Sequence, residues 1–252
     1  MKRKSMVFTI LLAAFVLLMS NPFAPGSALA GEEASEADEQ KDFSNIELQE
    51  KSIESIDPSY LRKDRKEKNI FDLGSKDTLT ISEDGYYTVD TGDVVITLLP
   101  PFGWNCFTQD LKTQLEAFVD VFTDPVAVVN SLIEEEIHYF IFDYDYRLFV
   151  EVKVSKDTLG SIIKDSNLLT DEEEEIVIDL LETSYTDVSI VPEDLGGRRF
   201  YIMNNEDLSL IVAETYVNGL CIDISYHTLE FDPLSESDID ELMLLIEDMA
   251  IE

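Results

Sequence analysis

The sequence predicts an α+β domain, an antiparallel β-sheet covered by helices, and three observations carry that expectation. From Leu79 onward, short β-branched and aromatic runs alternate with Gly, Asp and Asn punctuation. Capping residues at Asp124, Thr170 and Ser235 each precede apolar residues at helical spacing. Asn218-Gly219 separates two long alternating runs and favours a two-residue type I′ hairpin turn.

The chain ahead of that domain reads differently. Lys2, Arg3 and Lys4 precede an apolar run at 6–19, and Ala28-Leu29-Ala30 offers a small-residue cleavage site, so residues 1–30 read as a secretory signal peptide. The run is shorter than the roughly 20 residues that span a bilayer, which argues against a membrane anchor and against membrane insertion after cleavage. Residues 31–76 carry many charges and isolated apolar side chains, the composition of a linker or flexible arm. Within them Arg62-Lys63-Asp64-Arg65-Lys66-Glu67-Lys68 is the one place after the leader where basic charge dominates. Residues 77–252 are expected to form a single domain.

Its first strands are Leu79-Thr80-Ile81, Tyr86-Tyr87-Thr88-Val89 and Val94-Val95-Ile96-Thr97-Leu98, divided by Asp84-Gly85 and Gly92-Asp93. Pro100-Pro101-Phe102-Gly103-Trp104 ends that ladder, and Trp104 is expected to turn into the core, with ligand stacking as its other reading. Leu111, Leu115, Phe118 and Phe122 have helical spacing. Asp124 then caps a helix with Pro125 in its first position. A hairpin follows, His138 to Phe142 against Arg147 to Val154 across Asp143-Tyr144-Asp145-Tyr146. Thr170 and Glu173 form a capping box for a helix whose apolar surface is read as Ile176, Ile178, Leu180 and Leu181. Strands are expected at 186–191, 198–203, 208–217 and 220–228, and a last helix from Ser235 or Ser237 to the C-terminus. The economical sheet has five to seven strands.

Charge excludes one class of function. With 18 Lys plus Arg against 53 Asp plus Glu, the formal net charge is −35, a field that repels nucleic-acid phosphates and anionic membranes. Cations and basic peptides are attracted instead, although acidity also serves solubility alone. Cys106 and Cys221 are the only cysteines, and a disulfide between them is possible in an exported chain; two buried thiols are the other reading.

No arrangement reads as an active site. His138 and His227 are the only imidazoles, neither has metal-ligand spacing, and both are expected to face solvent from strands. The GxSxG, HExxH and Walker A patterns are absent, and so is the glycine pattern that binds dinucleotides. No catalytic residue, metal or cofactor is therefore assigned. The candidate binding residues are Tyr144 and Tyr146 at the hairpin tip, where an exposed ring beside an aspartate can stack on carbohydrate or peptide, with Trp104 as the third.

The order of elements resembles that of the bacterial secreted PsbP-like proteins, related in fold to the PsbP subunit of photosystem II and to Mog-type Ran-binding factors. The resemblance lies in the paired strands up to Pro101-Phe102-Gly103-Trp104, the helix after Asp124, the hairpin, the helix from Asp171, and Tyr216-Val217-Asn218-Gly219 before a final helix. It implies an α/β/α sandwich used as an adaptor or binding module. Asn105-Cys106 and the acidic piece at 108–123 depart from that pattern, and no photosystem-binding or Ran-binding residue can be placed here. The expected function is a noncatalytic secreted or cell-surface binding module for a protein, peptide or cell-wall component. The alternative is a small secreted hydrolase or metal-dependent enzyme built on His138 or His227.

Overall fold

Glycine punctuation sets the first three strands. β1 (Thr78–Ile81), β2 (Tyr87–Asp90) and β3 (Val95–Leu98) are joined by turns in which Gly85 and Gly92 take φ of 88° and 86°. The computed structural model describes residues 73–252 except 157, 186, 187 and 206. They belong to a compact unit that includes Ile70–Glu252. The expected leader at 1–30, most of the arm at 31–76 and its basic run at 62–68 lie outside the described residues.

β4 (Asn105–Thr108) follows the Pro100-Pro101 stop and leads into α1 (Leu111–Val121), capped by Asp110 through Thr113 N–H. Gln114 leaves helical geometry at φ −111°, and this kink turns its amide back onto β4. The amide accepts from Thr108 N at 2.9 Å and donates to Cys106 O at 2.7 Å, imitating a neighbouring strand. The outer edge of β4 is thereby closed to foreign strands. α2 (Pro125–Glu134) begins as expected, with Asp124 accepting from Ala127 N and proline at the first position. Ile137 belongs to the next strand, not to α2, because the chain turns at Glu136 with φ 56°.

β5 (Ile137–Phe142) and β6 (Leu148–Ser155) form the expected hairpin, with a register shift at His138. α3 (Thr158–Ile162) and a 3-10 turn (Ser166–Leu168) lead to α4 (Asp171–Ser184), whose Thr170–Glu173 capping box is present. Four acids in the first turn of α4 complement the positive end of its dipole, so that charge run has a structural explanation. The buried stripe of α4 is Val177 and Leu181, with Ile178 partly buried, while Ile176 and Leu180 are exposed. This corrects the expected apolar face, whose width allowed two rotations of the helix.

β7 (Val188–Leu195), β8 (Arg198–Asn205), β9 (Leu210–Val217) and β10 (Leu220–Thr228) complete the sheet. Asn218 and Gly219 take φ of 54° and 80°, as a type I′ turn requires. Gly196 and Gly197, at 59° and 79°, form the β7–β8 turn and extend β7 beyond the expected end at 191. α5 (Glu236–Glu247) starts from a Ser235–Asp238 capping box. It stops short of the C-terminus, because Ala250 and Ile251 form β11 against β3.

The described residues form a mixed α+β fold with two antiparallel sheets where one was expected. The larger has the order β4-β5-β6-β10-β9-β8-β7, the smaller β1-β2-β3-β11. One face of the large sheet packs on the small sheet and α5, through Tyr139, Val150, Ile202, Ile224 and Tyr226 against Val89, Ile96, Leu242 and Ile246. The opposite face carries two separate clusters. Phe107, Phe140, Phe142 and Phe149 lie under α1 and α2, and Tyr201, Met203, Tyr216 and Cys221 under α4.

Strand alternation decides the cysteines. Cys106 belongs to the cluster under the small sheet and Cys221 to the cluster under α4, so the two thiols lie on opposite faces. β5 and β6 also separate their strands, which at about 4.8 Å per strand exceeds the reach of a disulfide. The possible Cys106–Cys221 bond is thus corrected to two separate buried thiols.

Candidate functional site

Register gathers four chain segments at one end of the large sheet. The pairs Asn105↔Phe142, Phe142↔Phe149, Leu148↔Thr228 and Leu210↔His227 put the entry to β4, the β5–β6 turn, the start of β9 and the loop after β10 side by side. The β5–β6 turn is organised by Asp143, whose Oδ1 accepts from Arg147 N at 2.6 Å and Leu148 N at 3.0 Å. With the turn held from within, Tyr144 projects outward and is 80% exposed. Tyr146, at φ 55°, stacks on Phe142 at 5.3 Å and is partly exposed. Phe102 is fully exposed between Pro101 and Gly103. Trp104 is half-buried and packs against the core shared with the small sheet.

Backbone strain concentrates at the same end. Tyr146, Leu208 and Phe231 all have φ between 54° and 57°, a region that costs a non-glycine residue roughly 1–2 kcal/mol. Phe231 stacks on His227 at 4.9 Å, and His227 on Phe149 at 5.7 Å. Leu208 O accepts from Leu234 N, tying the β8–β9 connection to the chain entering α5. Arg147 fastens the hairpin to α5 through two bonds to Asp238, at 2.7 and 3.2 Å.

The Arg147 guanidinium, with Ser235 N–H and O–H donors, holds the Asp238 carboxyl down at about 2. Because the folded value lies below the unfolded value of about 3.9, the pair stabilises above pH 4 and is lost as pH falls toward 2. Arg147 is half-exposed, so solvent screening leaves about 1–2 kcal/mol. Asp238→Asn is expected to cost that much at pH 7 and to converge on the parent near pH 2 in urea titrations. A gap independent of pH would refute the linkage.

The two histidines are not solvent-facing, which corrects the sequence reading. His227 is 3% exposed; its Nδ1 donates to Thr228 O at 2.8 Å, and burial lowers its pKa, so the ring is a neutral packing group. His138 Nδ1 lies 2.7 Å from Asp77 Oδ2, clamping the residues before β1 to β5. Each histidine is explained by packing or by a local bond: His227 by its ring neighbours Phe149 and Phe231, His138 by Asp77.

Other polar groups are buried within the large sheet. Glu151 and Ser225 face each other across β6 and β10, both about 5% exposed, with Lys153 Nζ 3.0 Å from Glu151. Ser225 Oγ makes no hydrogen bond among the described residues. Burial raises the Cys106 thiol far from its reactive range. Arg199, beside a recess of about 280 Å³ at the start of α4, is neutralised by Glu174 and Asp194. Among the described residues no three His, Cys, Asp or Glu side chains converge as metal ligands, and no helix is long and apolar enough to cross a membrane.

Tyr144, Tyr146 and Trp104 are thus brought to one end of the sheet, with Trp104 the most engaged in packing. Phe102 was missed as a site residue by the sequence reading. Its signal was an aromatic ring between a proline and a glycine, where a turn can leave the side chain without a packing partner. No protein-family model matches the chain, and no curated protein matches it.

Proposed function

We propose that the protein is a noncatalytic binding module, exported and working in the medium or at the cell surface, whose contact surface is the aromatic end of the large sheet. The observation that carries this reading is the exposure of Tyr144 at 80% and Phe102 in full, on neighbouring segments. Single exposed apolar residues are ordinary; two exposed rings on neighbouring segments, beside left-handed turns at Tyr146, Leu208 and Phe231, support a contact surface here. The leader at 1–30 supports export. A PsbP-like kinship is part of the proposal, supported by the succession of paired strands, helices and late hairpin.

The test is a pull-down from source-cell envelope and medium at about 0.15 M salt, where generic charge attraction is screened. The parent protein should retain a saturable partner, and Phe102→Ala/Tyr144→Ala should lose it by about tenfold or more with an unchanged melting temperature. Equal retention by both proteins would reject this surface.

A further inference from the structure

The segments at the aromatic end of the sheet carry exposed carboxylates. Asp145 lies between Tyr144 and Tyr146, Asp207 precedes Leu208, and Glu230 and Asp232 flank Phe231; all four acids are exposed. Arg147 is the one cation among the described residues of these segments, and Asp238 already engages its guanidinium. Exposed ring faces with a negative rim and no available positive group suit a cation held over an aromatic face. The acids would also steer such a ligand and repel anionic polymers.

Building on the proposed binding role, we infer that this end takes an extended peptide segment rich in arginine or lysine. Its cationic side chains lie over Tyr144 and Phe102, and Asp145, Glu230 and Asp232 neutralise them. An uncharged glycan would stack on the same rings without needing the acidic rim.

The experiment measures binding of the purified protein to three probes at about 0.15 M salt: a ten-residue peptide alternating arginine and glycine, its citrulline counterpart, and an N-acetylglucosamine oligomer. The arginine peptide should bind saturably and the citrulline peptide about tenfold more weakly. Phe102→Ala/Tyr144→Ala should weaken the arginine peptide by about tenfold, and Asp145→Asn/Glu230→Gln/Asp232→Asn by about three- to tenfold.

Equal binding of arginine and citrulline peptides, or ring-dependent binding of the sugar oligomer alone, would overturn the basic-peptide inference while sparing the binding surface. Arginine-peptide binding indifferent to both variants would reduce it to the protein's general acidity and overturn it as well. If no probe bound, the inference would fail, and the envelope pull-down would still decide the broader reading.

Discussion

Gly196→Ala is expected to destabilise the protein by about 3 kcal/mol, more than a typical surface change, for two separable reasons. The first is conformational, because φ at Gly196 is 59° and an alanine there meets the left-handed penalty. The second is contact. A Cβ on Gly196 would stand 2.5 Å from Glu247 O and 3.3 Å from Glu247 C, and both are backbone atoms that no rotamer change can move aside. Either the β7–β8 turn or the last turn of α5 must shift.

That shift would propagate. The chain leaving α5 runs directly into β11, where Val95 and Glu252 exchange both backbone bonds at 2.9 Å, so displacing Glu247 loosens the edge of the small sheet. Gly197→Ala is the control: φ is 79°, but nothing lies within 4 Å of its Cβ, and it should cost about 1 kcal/mol. Urea denaturation of the two variants separates strain from contact. Equal costs would show that the approach to Glu247 is unimportant.

Tyr139→Phe should cost about 2–4 kcal/mol, although it removes one oxygen atom. The ring sits on β5 with no exposure, and its hydroxyl reaches across the interface to the small sheet. There it accepts from Val89 N at 3.0 Å and donates to Ile96 O at 2.5 Å, with Tyr87 O at 3.0 Å. Burial, chiefly, and the neighbouring Cys106 push the phenol's pKa up, so it keeps its proton for that bond.

Phenylalanine preserves the apolar packing and leaves a buried N–H and a buried C=O without this partner. Loss of an unmatched pair is dearer than the gain from making one, which is why the effect exceeds an average hydrogen bond. Faster amide exchange at Val89, with slow exchange retained in β9 and β10, would locate the loss at the sheet-to-sheet contact. A change under about 0.5 kcal/mol would reject the role assigned to the hydroxyl.

The site was partly legible beforehand. Tyr144 and Tyr146 could be placed at a hairpin tip because period-two runs flank Asp143-Tyr144-Asp145-Tyr146, and a tip faces solvent. Phe102 could not be joined to them, since that requires knowing that Asn105 pairs with Phe142. Leu208 and Phe231 gave no sign at all, because their left-handed backbone is imposed by the loops around them.

By itself the sequence determined what depends on near neighbours along the chain. The Asp124-Pro125 start, the Thr170–Glu173 box and the Asn218-Gly219 turn are each settled within a few residues by hydrogen bonds and allowed dihedral angles. Only the tertiary structure decided what depends on which strands become neighbours. It split the strands into two sheets, drew Ala250 and Ile251 into the smaller, buried His227, turned His138 onto Asp77 and set Cys106 and Cys221 on opposite faces. Alternation assigns residues to two faces of a strand, but long-range burial chooses the partner of each face, and that choice is made by the whole packed chain.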